Sequence, residues 1–111
     1  MDLKLNDKTV FISGSTAGIG FATAQRFLAE GAEVTINGRT KQSVENAVAQ
    51  LKKLMPKAKV SGIPANFSKV EDVNRLLNEL PEVDILINNA GIFEPKHLQK
   101  FRMKSGFGSL K

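Results

Sequence analysis

The chain of 111 residues is long enough for one domain with a core, and its 41% hydrophobic and 24% charged residues are typical of a globular protein. The absence of cysteine excludes disulfides and thiolate chemistry, and a single histidine argues against a histidine-based metal site or a Ser-His-Asp triad. No apolar run approaches the roughly 20 residues of a membrane span, and the start lacks a signal-peptide pattern, so we expect a cytoplasmic protein without a membrane partner.

The net charge of +5 comes entirely from the end of the chain. Five basic residues and no acid follow Glu94, whereas residues 1–95 hold equal numbers of basic and acidic residues. A nucleic-acid-binding surface normally combines basic residues from many parts of a sequence with aromatic residues. This basic cluster lies in a single segment and has few aromatic residues. We therefore expect no nucleic-acid partner and assign residues 96–111 to a basic irregular tail.

Short apolar runs and segments of helical periodicity alternate along most of the chain. The apolar runs predict four strands, at 9–13, 32–37, 59–63 and 83–88. The periodic segments predict three helices between them, at 18–30, 43–55 and 68–80. Because crossovers between parallel strands are right-handed, this order predicts an α/β fold, a Rossmann-like doubly wound parallel sheet truncated to about four strands with three crossover helices.

The predicted helix ends carry capping signals. Gly31 ends the first helix as a C-terminal cap, and a proline follows each of the other two. Ser43 is predicted to cap the second helix. Ser68, with Glu71 three residues later, predicts a capping box at the start of the third.

Residues 13–20 (SGSTAGIG) join the first predicted strand to the first predicted helix. Glycines there permit a tight turn, let the backbone approach a pyrophosphate and allow close packing of helix on strand, while the helix amino terminus offers free N–H groups to phosphates. Glycines also serve as ordinary turn residues. The position of this motif between a strand and a helix is what favours phosphate binding. The motif lacks the Lys-Ser/Thr ending of the ATPase phosphate loop, which disfavours ATP hydrolysis.

Residues 88–91 (NNAG) follow the fourth predicted strand directly. Ligands of open α/β sheets bind beyond the carboxyl ends of the strands, so this loop is expected beside the glycine-rich turn. Its Asn side chains can tie the central strands together by bonding neighbouring backbone groups. Taken alone, the tetrapeptide is equally an ordinary turn.

The two motifs together, roughly 70 residues apart, resemble those of the short-chain dehydrogenase/reductase family over about residues 5–95. The three glycines of the first motif match the family's three, Ser13 stands where the family usually has Thr, and residues 88–91 match its NNAG. The resemblance implies NAD(P)-dependent oxidation of alcohols or reduction of carbonyls. Residues 1–95 are then the amino-terminal, cofactor-binding half of a Rossmann domain.

The loop after the second predicted strand bears on the choice of cofactor. An NAD-binding protein has a carboxylate there for the ribose 2′-hydroxyl, and that charge would repel a 2′-phosphate. This chain has NGRT at 37–40, followed by Lys41. The planar guanidinium of Arg39 can bind a phosphate through two parallel hydrogen bonds. NADP(H) is therefore favoured over NAD(H), although Thr16 stands where many NADP-preferring relatives have a second basic residue. The alternative is that Arg39 is a solvated loop residue.

Asn66 and Phe67 follow the third predicted strand, where the family usually has Asp and an apolar residue. The resemblance implies that this Asp accepts a bond from the adenine amino group. The carbonyl oxygen of Asn66 can accept the same bond without charge, or Asn66 belongs only to the turn before Ser68. The predicted cofactor-binding residues are Gly14, Ser15, Thr16, Gly18, Ile19, Gly20, Asn37, Arg39, Thr40, Asn66, Phe67, Asn89, Ala90 and Gly91.

The resemblance places catalysis in a Ser, a Tyr-x-x-x-Lys pair and a helix-borne Asn, in which Tyr moves the proton and Lys lowers its pKa. The chain has no tyrosine, so we predict no catalytic residue and no hydride transfer by this chain alone. The alternative functions are a non-catalytic nucleotide-binding module and a nonfunctional fragment. A methyltransferase is disfavoured, because it would want an acid after the second strand for the S-adenosylmethionine ribose.

The tail departs from the family, whose members typically continue with an acidic segment that contains Trp. One back-translation of the tail gives such a segment when a single nucleotide is restored, so we hypothesise that residues 97–111 are a frameshifted part of a longer gene. The coding DNA tests this, and the rival is a natural basic tail. Without further strands, an edge and an apolar face around Ile85 and Ile87 should be uncovered, which predicts self-association.

Overall fold

The computed structural model describes residues 5–89 together with Met103 and Lys104. The predicted order of elements is confirmed over this part of the chain. The strands are β1 (Thr9–Ile12), β2 (Glu33–Gly38), β3 (Lys59–Pro64) and β4 (Ile85–Ile87). The helices are α1 (Gly18–Ala29), α2 (Lys41–Leu54) and α3 (Val70–Glu79). None of these helices is long and apolar enough to cross a membrane.

The four strands form one parallel sheet in the order β3-β2-β1-β4. The chain moves outward from β1 through β2 to β3, and then returns to the other side of β1 for β4. The order therefore reverses between β1 and β4, which is the topological switch point of a doubly wound sheet. This arrangement confirms the predicted Rossmann-like fold.

The two faces of the sheet are covered by different helices because successive strand residues point to opposite faces. Val10 and Ile12 pack into a larger apolar cluster that includes Leu28 of α1 and Leu51 of α2. Phe11, between them in β1, packs into a second cluster with residues of α3. All three β1 side chains are at most 1% exposed, so β1 is the centre of the core.

The predicted cap of the second helix is wrong. We expected Ser43 to cap it, but α2 begins at Lys41 and Thr40 is its N-cap. The Thr40 hydroxyl oxygen accepts the Ser43 N–H at 3.1 Å, and the Ser43 hydroxyl donates to the Thr40 carbonyl at 3.0 Å. Thr40 therefore caps α2, three residues earlier than predicted, and Ser43 lies in the first turn of the helix.

The predicted capping box at Ser68 and Glu71 does not form. α3 begins one residue after Lys69, and no side chain caps it. Ser68 instead turns back to the preceding loop, where its N–H and its hydroxyl both donate to Asn66 Oδ1. Ser68 therefore belongs to a local Asx turn with Asn66, and its hydroxyl does not cap α3.

The end of α1 follows its prediction, whereas β4 is shorter than predicted. Gly31 follows α1 with φ +92°, the left-handed conformation that glycine adopts most easily. Val83 lies outside β4 and forms an isolated parallel bridge with Met103. Ile85 and Ile87 are half-buried against the larger apolar cluster, so the face predicted to be uncovered there is partly covered.

Candidate functional site

The carboxyl ends of β1, β2 and β3 surround a cleft of about 670 Å³. It lies where open α/β sheets bind ligands, beyond the ends of the strands. Three separate loops contribute to its wall, and their residues are Gly14, Asn37, Gly38, Arg39, Ala65, Asn66, Phe67 and Ser68. The fold therefore brings together predicted site residues that are far apart in the sequence.

The glycine-rich turn needs its glycines for conformation and for space. Gly14 and Gly18 have φ values of +59° and +63°, which L side chains rarely adopt. Gly20 has an ordinary φ, but a Cβ there would lie 2.5 Å from the Gly14 carbonyl oxygen and 2.7 Å from Asn89 Nδ2. The third glycine therefore lets α1 start directly against the turn.

The amino terminus of α1 is open to an anion. Its N-cap, Ala17, makes no side-chain capping bond, and the first turn holds no acidic residue. The first N–H groups of a helix have no intrahelical partner, and the helix dipole is positive at this end. Ile19 is 79% exposed in this turn, an unusual environment for a large apolar side chain.

Asn37, at the end of β2, holds the glycine-rich turn in place. Its Oδ1 accepts the Gly14 N–H at 3.0 Å, and its Nδ2 donates to the Ile63 carbonyl at 3.0 Å. Its backbone N–H and carbonyl both bond Ser15, at 2.9 and 2.8 Å. The side chains of Asn37 and Ser15 are buried, and their polar groups are hydrogen-bonded within the protein, so they stabilise the turn.

Sequence reasoning placed Asn37 and Ser15 in the site but missed this supporting role. The available signal was a polar residue, Asn37, at the carboxyl end of a predicted central strand. Such a residue is normally hydrogen-bonded when buried, so its presence predicts a partner. The identity of the partners depends on which loops meet there, and only the fold shows that.

The loop after β4 lies beside the glycine-rich turn, as predicted. Asn89 Nδ2 donates to the Gly14 carbonyl at 2.9 Å, and the Ser13 hydroxyl donates to Asn88 Oδ1 at 3.3 Å. These side chains tie the loops after β1 and β4 together. Ala90 and Gly91, predicted for the same site, lie outside the described residues.

Arg39 supplies positive charge at the cleft. It is exposed between β2 and α2, and it forms no ion pair with any residue in the described part of the chain. The first turn of α2, which begins after Thr40, contains no acidic residue. Thr16 packs over the neighbouring Gly38, where a Cβ would lie 2.5 Å from the Thr16 methyl group. A guanidinium that forms no ion pair within the described ranges and a helix amino terminus therefore lie close together along the chain.

The loop after β3 completes the cleft. Phe67 is half-buried and packs against the second apolar cluster. Asn66 is also half-buried, and its backbone N–H donates to Asp72 Oδ2 at 2.7 Å. Within the described ranges, no group of three or more His, Asp or Glu residues could hold a metal ion. The cleft thus combines the exposed guanidinium of Arg39 with polar side chains, and the turn at Gly14 leads from it to the amino terminus of α1.

A comparison with protein families identifies this arrangement. The chain matches the family of short chain dehydrogenases over residues 8–109. The chain belongs to the short-chain dehydrogenase family. The match includes most of the basic tail as well as the described sheet.

Individual members of the short-chain dehydrogenase family show the same likeness. The chain is 42% identical over 99 residues to the uncharacterized oxidoreductase YvrD of Bacillus subtilis, with 86% of this chain and 36% of that protein covered. It is 37% identical over 112 residues to a 3alpha-hydroxysteroid dehydrogenase of Mediterraneibacter gnavus, with 90% of this chain and 45% of that protein covered. The chain thus spans between a third and a half of the length of these relatives.

Solved structures of the family share the fold. One is L-sorbose reductase from Gluconobacter frateurii complexed with NADPH and L-sorbose. It superposes with a TM-score of 0.70 at 30% sequence identity, covering 82% of this chain and 36% of that one. Another is a complex of Pseudomonas aeruginosa RhlG with NADP, which has a TM-score of 0.69 at 28% identity and covers 78% of this chain and 35% of that one.

Proposed function

We propose that this chain is the NADP(H)-binding half of a short-chain dehydrogenase that interconverts alcohols and carbonyls. The observation that carries the proposal is Arg39, an exposed guanidinium without an ion-pair partner in the described residues, at the end of β2 where no acid stands. A carboxylate there would favour NAD(H), whereas a free guanidinium favours the 2′-phosphate of NADP(H).

The residues present fit a dinucleotide phosphate. The glycine-rich turn and the open amino terminus of α1 would hold the pyrophosphate, and Arg39 with the start of α2 would hold the 2′-phosphate. The cleft at the end of β3, beside Asn66 and Phe67, would then hold the base. When bound, the nicotinamide would supply or accept the hydride.

We further propose that these 111 residues bind the cofactor without carrying out the reaction. The sequence contains no tyrosine, the residue that the family's proton transfer requires. The chain acting by itself would thus be a nucleotide-binding module. The substrate would be bound by residues that this sequence does not contain.

Replacement of Arg39 tests the choice of cofactor. We expect Arg39→Gln to weaken NADPH binding by about 10- to 100-fold, because it removes a charge-assisted contact with the 2′-phosphate. NADH lacks that phosphate, so its affinity should stay within about twofold. Fluorescence titration of the reduced nicotinamide measures both.

The matched control is Lys52→Gln. This variant removes the same charge from an exposed side chain in the last turn of α2, which does not line the cleft. Its effect on NADPH should be clearly smaller. An unchanged NADPH affinity in Arg39→Gln, or an equal loss for both cofactors, contradicts the role of Arg39.

A further inference from the structure

The side-chain amide of Asn66 has a hydrogen-bonded oxygen and a nitrogen that has no partner among the described residues. Its Oδ1 accepts two bonds from Ser68, one from the N–H at 3.0 Å and one from the hydroxyl at 2.7 Å. A carbonyl oxygen has two lone pairs, and both are used here. Nδ2 makes no hydrogen bond with any group of residues 5–89 or 103–104, although Asn66 lines the cleft.

The backbone fixes which way this amide is turned. The Ser68 N–H can only donate, so the atom that it contacts must be the oxygen. A flipped amide would set two donors against each other. Asn66 therefore brings to the wall of the cleft a donor that has no partner among the described residues, whereas its oxygen already accepts two bonds.

The place of Asn66 along the cleft decides which part of a nucleotide it meets. This step rests on the proposed function, in which the pyrophosphate lies on the glycine-rich turn after β1 and the ribose phosphate lies at Arg39 after β2. The sheet order continues to β3, so the base lies at the end of that strand. Asn66 is the second residue after β3, and it lines that part of the cleft.

We propose that Asn66 recognises the base as a hydrogen-bond donor, through a ring acceptor, and does not bond the exocyclic amino group. In adenine the ring nitrogen N7 accepts, whereas the 6-amino group donates. A donor-only contact gives no bond to that amino group. Hypoxanthine keeps N7 as an acceptor and has a 6-oxo acceptor in place of the amino group, so a donor at N7 or at the 6-position tolerates the exchange.

An aspartate at position 66 would behave differently. A carboxylate has two acceptor oxygens, so one can keep both bonds from Ser68 while the other accepts from the adenine amino group. Asn66→Asp is nearly isosteric and keeps an acceptor for the Asx turn, so we expect the variant to fold. The substitution should therefore create a preference for adenine that the natural residue lacks.

The test compares NADPH with the reduced hypoxanthine analogue of the same dinucleotide phosphate, titrated against the full 111-residue chain by nicotinamide fluorescence. The unaltered chain should bind the two within about threefold of each other. Asn66→Asp should favour NADPH by about tenfold or more, since a bond between the amino group and a charged oxygen is gained. Both affinities should fall because a negative charge is added near phosphates, so the ratio is the readout.

Asn46→Asp on the exposed face of α2 is the matched control, because it adds the same charge at a residue that does not line the cleft. It should leave the ratio unchanged. A tenfold preference of the unaltered chain for NADPH overturns the proposal, and this result needs no variant to fold. An unchanged ratio in folded Asn66→Asp also overturns it. Failure of both dinucleotides to bind the unaltered chain instead removes the proposed function, and this inference falls with it.

Discussion

The side chain of Asn37, in β2, links the turn after β1 to β3. Its oxygen holds the Gly14 N–H of the turn after β1, and its nitrogen holds the Ile63 carbonyl of β3. It is 1% exposed, so neither bond competes freely with water. Such a residue sets the position of the glycine-rich turn through hydrogen bonds made within the protein.

Removal of this side chain should destabilise the protein. We expect Asn37→Ala to lower the free energy of unfolding by about 2 to 4 kcal/mol, because it leaves the Gly14 N–H and the Ile63 carbonyl without partners. Urea denaturation measures this. Asn46→Ala, on the exposed face of α2, is the control and should change stability by less than about 0.5 kcal/mol. Equal stability of the two variants would show that Asn37 does not support the turn.

At the scale of the elements, periodicity was enough to predict the strand and helix order, because buried strands and amphipathic helices leave different spacings of apolar residues. The helix starts were less predictable. Thr40 and Ser43 are both good capping residues, and α2 uses the earlier one, two residues after β2 ends at Gly38 in its pairing with Pro64 of β3. That pairing is between distant segments and leaves no local signal.

The glycines of the site and the loops that form it were predictable from the sequence. The hydrogen bonds of its polar side chains were less predictable. Gly14 and Asn89 lie 75 residues apart in sequence, and their contact follows from the predicted meeting of two strand ends. The direction of the Asn66 amide was not predictable, because it depends on which neighbours donate to its oxygen. Sequence reasoning left two roles open for that oxygen, a bond from adenine or a place in the turn before Ser68, and in the structure Ser68 bonds it.

Asp84 connects β1 and β4 at the end of the sheet opposite the cleft. Its Oδ2 accepts the Thr9 N–H at 2.8 Å and the Thr9 hydroxyl at 3.2 Å, and Lys104 Nζ lies 3.7 Å away. The bond from the Thr9 N–H is the main cause that lowers the pKa of Asp84 below its ordinary value of 3.8, against the opposing effect of burial. The ionised carboxylate is therefore the form that the folded state favours.

This shift predicts a dependence of stability on pH. The stabilisation by Asp84 is present above its ordinary pKa of 3.8, and it is lost as the pH falls through the lower pKa of the folded state. Asp84→Asn should be less stable than the unaltered chain at pH 7, and the difference should shrink as the pH falls below about 4. Urea denaturation from pH 7 to pH 3 measures it, with Glu45→Gln on α2 as the control for loss of one charge. A difference that stays constant over this range would contradict the assignment.

At the scale of the whole molecule, the two ends of the sheet have different roles. The carboxyl ends form the cleft, whereas the amino ends are held by Asp84 and by the contact of Met103 with Val83. The described part of the tail thus lies beside β4 and away from the cleft. The frameshift stays a hypothesis that the coding DNA tests, and self-association through the side of β4 stays a prediction.

The central claim is that this chain binds NADP(H) in the cleft at the carboxyl ends of the strands. Titration of the unaltered 111-residue chain with NADPH and with NADH, followed by nicotinamide fluorescence, tests it most directly. We predict saturable binding of NADPH at least about tenfold tighter than that of NADH, because only NADPH has the phosphate for Arg39. Binding of NADH as tight as that of NADPH, or no binding of either, would contradict the claim.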